Sequence, residues 1–250
     1  MPFTPAHTAV VLPFLKNRYV SATGLAIGSM APDFEYFFKM QVSGVHGHTW
    51  PGLLYFDLPV TIALSLVFHL IVKKNLINNL PSFLQKRFSD TLDLDFIHTL
   101  RSRPLLFTLS AMAGAASHII WDGFTHRSGV FVEYFSFYDG VFVPFQGVDY
   151  PLWYALQHIS TFAGLAAIVV YVSILERKEG SVPPRHSYWI VLFAISVLVV
   201  TVRFAIHPSD YALGNLVVSC VSAFCIGLSL CGLIRFDNAR AKGHGRAIHK

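Results

Sequence analysis

Five apolar windows, residues 53–72, 104–121, 152–175, 188–206 and 211–234, constrain this chain more than any other feature. Each is close to, or beyond, the roughly 20 residues that cross about 30 Å of hydrocarbon at about 1.5 Å of helical rise per residue. In lipid a backbone has no water to bond, so segments of this length are expected to be helices. The chain is 54% hydrophobic and 13% charged over 250 residues, against roughly 25% charged in soluble domains, which excludes an ordinary soluble fold. The expected architecture is an all-α polytopic membrane helix bundle with about five transmembrane helices. The second window carries Ser110, Gly114 and Ser117 among several alanines, so it is expected to be an interior helix packed through small residues.

Before the first window, residues 6–15 and 22–38 are apolar but broken by Lys16, Arg18, Pro32 and Asp33, and each is too short for a span. They are expected to form an N-terminal helical hairpin, with Thr4 capping its first arm and Pro5 at the first helical position. A basic start, an apolar core and a small-residue cleavage site do not occur in that order. The segment is therefore read as part of the mature fold rather than a removable signal. No repeat or linker divides the chain, so it is read as a single integral membrane domain, 1–250. Its parts are a motif-bearing half (1–130), three further transmembrane helices (151–235) and a basic tail (236–250).

Lys73 and Lys74, Arg101 and Arg103, Arg177 and Lys178, and Arg185 all fall on one side if the windows alternate, as does the basic tail. The positive-inside bias makes that side cytoplasmic. It also accounts for the net charge of +5 better than nucleic-acid binding does, because the basic residues do not form one aromatic-interleaved patch. Trp50, Trp121 and Trp153 then lie near outer span ends, as an aromatic belt requires. Residues 130–150, rich in Phe and Tyr, are expected to dip into the interface or cover a site. Cys220, Cys225 and Cys231 share the last window and read as packing residues, not as a disulfide framework.

Against this apolar background, Ser-His-Ile-Ile-Trp-Asp-Gly-Phe-Thr-His places His118, Asp122 and His126 at the outer end of the second window. Ionisable groups at membrane depth are costly and mark functional sites by default. Residues four apart share a helix face about 6 Å along the axis, close enough to share one ion, and imidazole with carboxylate suits zinc, or manganese or iron. Gly123 loosens the helix beyond Asp122, so His126 has to fold back across about 12 Å of rise from His118. On the same side lie His46 and His48 in Val-His-Gly-His-Thr, and His7 and Asp33 join them if the hairpin opens outward. Blander readings stay open: His7 as a surface histidine, Asp33 as a turn residue, Asp122 as an acceptor that only orients His118. Asp57 reads as a helix cap with Pro59 in the first turn, and as a reserve ligand. His69 falls near the cytoplasmic end and is excluded, as are His98, His186, His244 and His249. His158 reads as an interior histidine, and Arg203 as a partner of Asp210 or of an anionic group.

The runs Met-Pro-Phe-Thr-Pro-Ala-His, Gly-Ser-Met-Ala-Pro-Asp-Phe, His-Gly-His-Thr, Phe-Asp-Leu-Pro and Ser-His-Ile-Ile-Trp-Asp-Gly-Phe-Thr-His resemble a family of bacterial multi-pass membrane proteins. That family looks like the membrane-bound metal-dependent hydrolases, and more distantly like the zinc-dependent phospholipase C and single-strand nuclease superfamily. The resemblance covers roughly residues 1 to 130. It implies His7, Asp33, His46, His48, His118, Asp122 and His126 as ligands of one or two ions. An N-terminal Trp and a second His-x-x-x-Glu helix, both features of the soluble superfamily, are absent here.

The function expected from these residues is a phosphoester hydrolase in the bacterial cytoplasmic membrane, with its site facing outward. Asp33 and Asp122 would be the catalytic carboxylates, Zn2+ the cofactor with Mn2+ or Fe2+ as alternatives, and a membrane lipid or lipid-linked ester the substrate. Two rivals remain: a non-enzymatic protein using the same groups structurally, and an ion or proton-coupled transporter, against which the lack of an inverted repeat counts.

Overall fold

A computed structural model of the chain describes residues 3–236, so the basic tail from residue 237 onward, with His244 and His249, lies outside the described residues. A 3-10 segment, Thr4–Phe14, leads into α1 (Ala22–Gly28), the turn Ala31–Asp33 and α2 (Phe34–Lys39). Next come α3 (Leu53–Asn79), α4 (Ser82–Phe88), α5 (Phe96–Ser102) and α6 (Pro104–Thr125). After α7 (Val130–Tyr134), strands β1 (Phe142–Phe145) and β2 (Val148–Pro151) form an antiparallel hairpin. Helices α8 (Leu152–Ile174), α9 (His186–Ile206) and α10 (Leu213–Leu233) complete the chain. The fold is an all-α polytopic helix bundle, and α3, α6, α8, α9 and α10 are the five helices long and apolar enough to cross a membrane. Phe162, Phe193 and Leu213 on these helices are 73%, 69% and 76% exposed, an outward apolar surface that suits lipid rather than water.

The N-terminal hairpin is folded against α6 and α8. Gly24 and Gly28 bring α1 against α6 so closely that a Cβ on Gly28 would sit 2.3 Å from the Ala111 carbonyl oxygen. From the other side, a Cβ on Gly114 would sit 2.3 Å from the Leu25 carbonyl oxygen. Such small-residue contacts are how helices approach where lipid offers no hydrophobic drive to associate. The 3-10 segment packs on α8, with the Phe3 amide donating to Thr161 Oγ1 at 3.1 Å and Ala6 against Gly164. Gly164 is twelve residues into α8, about 18 Å along its axis, so the N-terminal arm reaches deep along a spanning helix.

Two expected caps are not formed. The N-cap of the first arm is Phe3, with no side-chain bond; Thr4 lies inside the segment, and its hydroxyl donates to Asp33 Oδ2 at 2.5 Å, a charge-assisted bond. Asp57 does not start the first span. The helix already begins at Leu53 with a π-helical turn, Leu53–Asp57, which leaves the Asp57 carboxylate buried inside without a hydrogen-bond partner.

At the other end of α3, side-chain and backbone bonds link the helix ends. Asn75 donates to the carbonyls of Cys231, Gly232 and Ile234, Arg87 to that of Ser173, and the Arg185 amide to Asn79 Oδ1. The ends of α3, α8 and α10 and the start of α9 are thereby tied together on one face.

Candidate metal centre

Four elements converge on the C-terminal third of α6. His118 and Asp122, four apart on that helix, present their side chains to the same side. The α1 to α6 contact sets the Ser29 carbonyl 2.8 Å from His118 Nδ1. A carbonyl only accepts, so Nδ1 carries the proton in this bond, which leaves Nε2 as the one nitrogen able to ligate. The 3-10 arm delivers His7, whose ring stacks on His118 at 3.7 Å between centroids.

Asp33 and His48 arrive through a loop that a buried carboxylate organises. Glu35 accepts the amides of Val45 (2.8 Å), His46 (2.7 Å) and Gly47 (3.0 Å) and the Lys39 ammonium (2.7 Å). Burial opposes its ionisation, yet these donors hold its pKa down to about 2. Gly47 meets Pro32 so closely that a Cβ would lie 2.4 Å from the Pro32 carbonyl oxygen. The two histidines flanking this glycine point apart. His48 turns inward against Tyr36, its Nδ1 3.4 Å from the Tyr36 hydroxyl, while His46 turns outward to the Tyr55 hydroxyl at 3.0 Å.

The result is six sequence-predicted residues together and one apart. Asp122 Oδ2 lies 3.4 Å from both His48 Nε2 and His118 Nε2, and Asp33 Oδ1 lies 3.4 Å and 3.6 Å from the same two nitrogens. Asp122 Oδ1 faces the other way, 3.4 Å from both His7 Nε2 and His126 Nδ1. His126 reaches the site because α6 ends at Thr125 and its own backbone is extended, which folds the ring back onto Asp122. His46 is not part of the cluster. His69 bonds Thr23 at 3.0 Å near the far end of α3, His158 packs edge-on against Tyr154, and Arg203 pairs with Asp210 at 2.7 Å.

These separations are informative. Charge-assisted hydrogen bonds between imidazolium and carboxylate are about 2.7 to 2.9 Å, and the observed pairs are longer. Ligands of a tetrahedral ion held at about 2.0 to 2.1 Å stand about 3.3 to 3.4 Å apart. His7 Nε2, Asp33 Oδ1, His48 Nε2, His118 Nε2 and Asp122 Oδ1 are all buried without a hydrogen-bond partner. Two triads of ligand atoms, His7 with His118 and Asp122, and Asp33 with His48 and His118, each fall within 4.8 Å. His118 is common to both, but its one free nitrogen serves one ion. The pairwise distances group it with Asp33, His48 and Asp122 Oδ2, which leaves His7 Nε2 beside Asp122 Oδ1; His126 Nδ1, 3.2 Å from the Asp122 carbonyl, donates there and has no lone pair at that nitrogen to offer an ion, contrary to the expectation from the sequence.

The acids and imidazoles of the cluster shift one another's ionisation. Burial pushes His7 down to about 3, with the neighbouring His118 adding to it, so the ring is neutral. Burial opposes ionisation of Asp33, but the His118 charge and contacts to His118 and His48 hold it well below the usual carboxylate range. Burial lowers His48 while Asp122 and Asp33 outweigh it and raise its pKa. Sequence reasoning missed Thr4, Ser29, Glu35 and Tyr36. Of these only Glu35 had a local signal, Lys39 four residues on, and that pattern is common on solvated helices.

Neither the curated proteins nor the solved structures contain a match to the chain. Over residues 1–233, which include every element of the cluster, the sequence matches a domain of unknown function, and the chain belongs to that family, DUF4184.

Proposed function

We propose that this protein is a membrane-bound, metal-dependent hydrolase of phosphoester or lipid-linked substrates. The single observation that carries the reading is the set of His48, His118, Asp33 and Asp122 atoms 3.4 to 3.6 Å apart, close to the edges of a tetrahedral site, with His48 Nε2, His118 Nε2 and Asp33 Oδ1 buried without a hydrogen-bond partner. Zn2+ suits these ligands, with Mn2+ or Fe2+ as alternatives, in one or two positions. Asp33, His48, His118 and Asp122 would hold one ion, and His7 with Asp122 Oδ1 would offer the start of a second position. A bound divalent ion supplies Lewis acidity toward a phosphoryl oxygen and makes water acidic enough to attack near neutral pH. With a single ion held, Asp122 Oδ1 stays free and would take up the proton that water releases, while Asp33, steadied by the Thr4 hydroxyl, would keep the nitrogens of His48 and His118 aligned. As the phosphorus–oxygen bond to the leaving group breaks, that oxygen leaves with the proton held on Asp122. His118 keeps its orientation throughout because Ser29 fixes its Nδ1 proton.

The Lys and Arg distribution supports placing the site on the outer face of a bacterial cytoplasmic membrane, with the C-terminus inside. A second reading is favoured by one feature. The Asp33, His48, His118 and Asp122 group already supplies four ligands, as closed structural zinc sites do. Metal analysis of detergent-purified protein separates these readings from the absence of any metal. Wild-type protein is expected to hold near-stoichiometric zinc or manganese, and His118→Ala and Asp122→Asn to lose it. Folded wild-type protein that takes up no metal would overturn the proposal. Metal retention without hydrolysis of any phosphomonoester, phosphodiester or phospholipid supplied would leave the structural reading.

A further inference from the structure

Residues 126–151 leave α6 and enter α8, so both ends of this segment are fixed at the same end of two spanning helices. Within it, β1 pairs with β2 in the register Phe142↔Pro151, Val143↔Tyr150, Pro144↔Asp149 and Phe145↔Val148. A two-residue turn with positive φ at Gln146 (50°) and Gly147 (78°) closes the ribbon. Side chains alternate along a strand, so Phe142 and Phe145 stand on opposite faces. Both are exposed, at 54% and 62%, and Val148 beside the turn is 50% exposed. The ribbon thus offers apolar side chains on both faces, although protein packing can cover only one. Two-stranded hairpins alone are marginal in water, so this one needs another environment.

The surrounding surface identifies that environment. Tyr150 of β2 stacks on Tyr154 of α8 at 5.4 Å, which joins the ribbon to the lipid-facing surface that continues through Ile159 and Phe162. Before the ribbon, Phe124, Phe131, Phe135, Phe137 and Tyr138 form a continuous stack, with Phe137 54% exposed. Between Val130 and Pro151 there is no Lys or Arg, only Glu133, Asp139 and Asp149, a charge pattern that does not attract anionic headgroups. Aromatic side chains at a span end are the usual occupants of the headgroup level.

We infer that the β1–β2 hairpin inserts into the boundary between headgroups and acyl chains of the leaflet on the metal-centre side, with lipid as its partner. This surface also holds the end of α6. The Tyr138 hydroxyl donates to the Phe124 carbonyl at 2.9 Å, and the Phe131 ring lies where a Cβ on Gly123 would be, 2.9 Å away. Lipid contact at the hairpin therefore steadies the turn that carries Asp122 and His126. The inference stands independently of any metal chemistry.

Spin labels at Phe142, Phe145 and Val148, in full-length protein with Cys220, Cys225 and Cys231 replaced by Ala and reconstituted in phosphatidylcholine vesicles, test it directly. Collision with oxygen is expected to exceed collision with an aqueous nickel chelate at all three positions, and the reverse at Lys178 as a control. Nickel access at the hairpin equal to that at Lys178 would overturn the inference. So would shielding from both reagents, which would indicate a protein partner or a second copy. If the cysteine-free protein does not fold, wild-type protein with a diazirine-bearing phospholipid gives the same answer: photo-adducts on residues 134–148 support insertion, and none there refutes it.

Discussion

Replacing Gly114 by Ala tests how tightly the helix crossing governs the site. The new Cβ would fall 2.3 Å from the Leu25 carbonyl oxygen and 2.7 Å from the Ser29 amide nitrogen. Both obstacles are backbone, so no rotamer change relieves them, and α1 has to retreat by about 1 Å to reach ordinary contact. The Ser29 carbonyl moves with it, and its 2.8 Å bond to His118 Nδ1 lengthens beyond hydrogen-bonding range. Overpacking of this kind costs about 1 to 3 kcal/mol, and losing the buried bond adds about 1 kcal/mol. Metal sites tolerate ligand displacements of only about 0.2 Å, and loss of an orienting partner typically weakens metal binding about 10- to 100-fold. Chelator competition for zinc, run beside thermal unfolding in the same detergent, reads both effects. Gly227→Ala is the control. Its Cβ would meet Ser196 Oγ at 3.0 Å between α9 and α10, remote from the cluster, so it should cost stability without affecting metal affinity. A folded Gly114→Ala protein that binds zinc as tightly as wild type would refute the coupling of crossing to site.

The two histidines of the 46–48 loop should separate cleanly: His48→Ala loses most of the bound metal, whereas His46→Ala, which removes only a contact to Tyr55, keeps it by elemental analysis. Glu35→Gln should destabilise the loop by about 3 kcal/mol at pH 7, since the 3% exposed side chain has its pKa moved from 4.5 to about 2. Because that pKa is depressed on folding, the wild-type advantage is fully present above about pH 4.5 and shrinks as pH falls toward 2; denaturation curves at several pH values check the sign. Acidification should also release metal, as protons compete for the imidazoles, and dialysis at stepwise lower pH with elemental analysis follows the loss. Asp210→Asn should leave metal content unchanged while weakening the Arg203 contact that steadies the end of α9, seen as a lower unfolding temperature alone.

Much of the fold was legible because lipid imposes a simple rule. An apolar run long enough to cross the bilayer must satisfy its own backbone, so length and composition locate α3, α6, α8, α9 and α10 without knowledge of their neighbours. The same reasoning singled out His118 and Asp122, since an i, i+4 pair of ionisable residues in an apolar helix is conspicuous. The N-terminal fifty residues were harder. Nothing local distinguishes an eleven-residue 3-10 segment from an α-helix, and Thr4 has the sequence of a cap but bonds Asp33.

The sequence by itself determined that the chain is a membrane helix bundle and that one of its helices bears a His and an Asp one turn apart, because both follow from period and hydrophobicity along a single segment. Only the tertiary structure decided which histidine of the His-Gly-His loop turns inward. It made Glu35 the organiser of that loop, and it faced the two oxygens of Asp122 toward different groups. Those outcomes depend on contacts between residues distant in sequence, such as His118 with Ser29, 89 positions away, and His7 with Asp122. Close approach at Gly28, Gly47 and Gly114 creates them, and a linear pattern of residue types does not encode distance across a helix crossing.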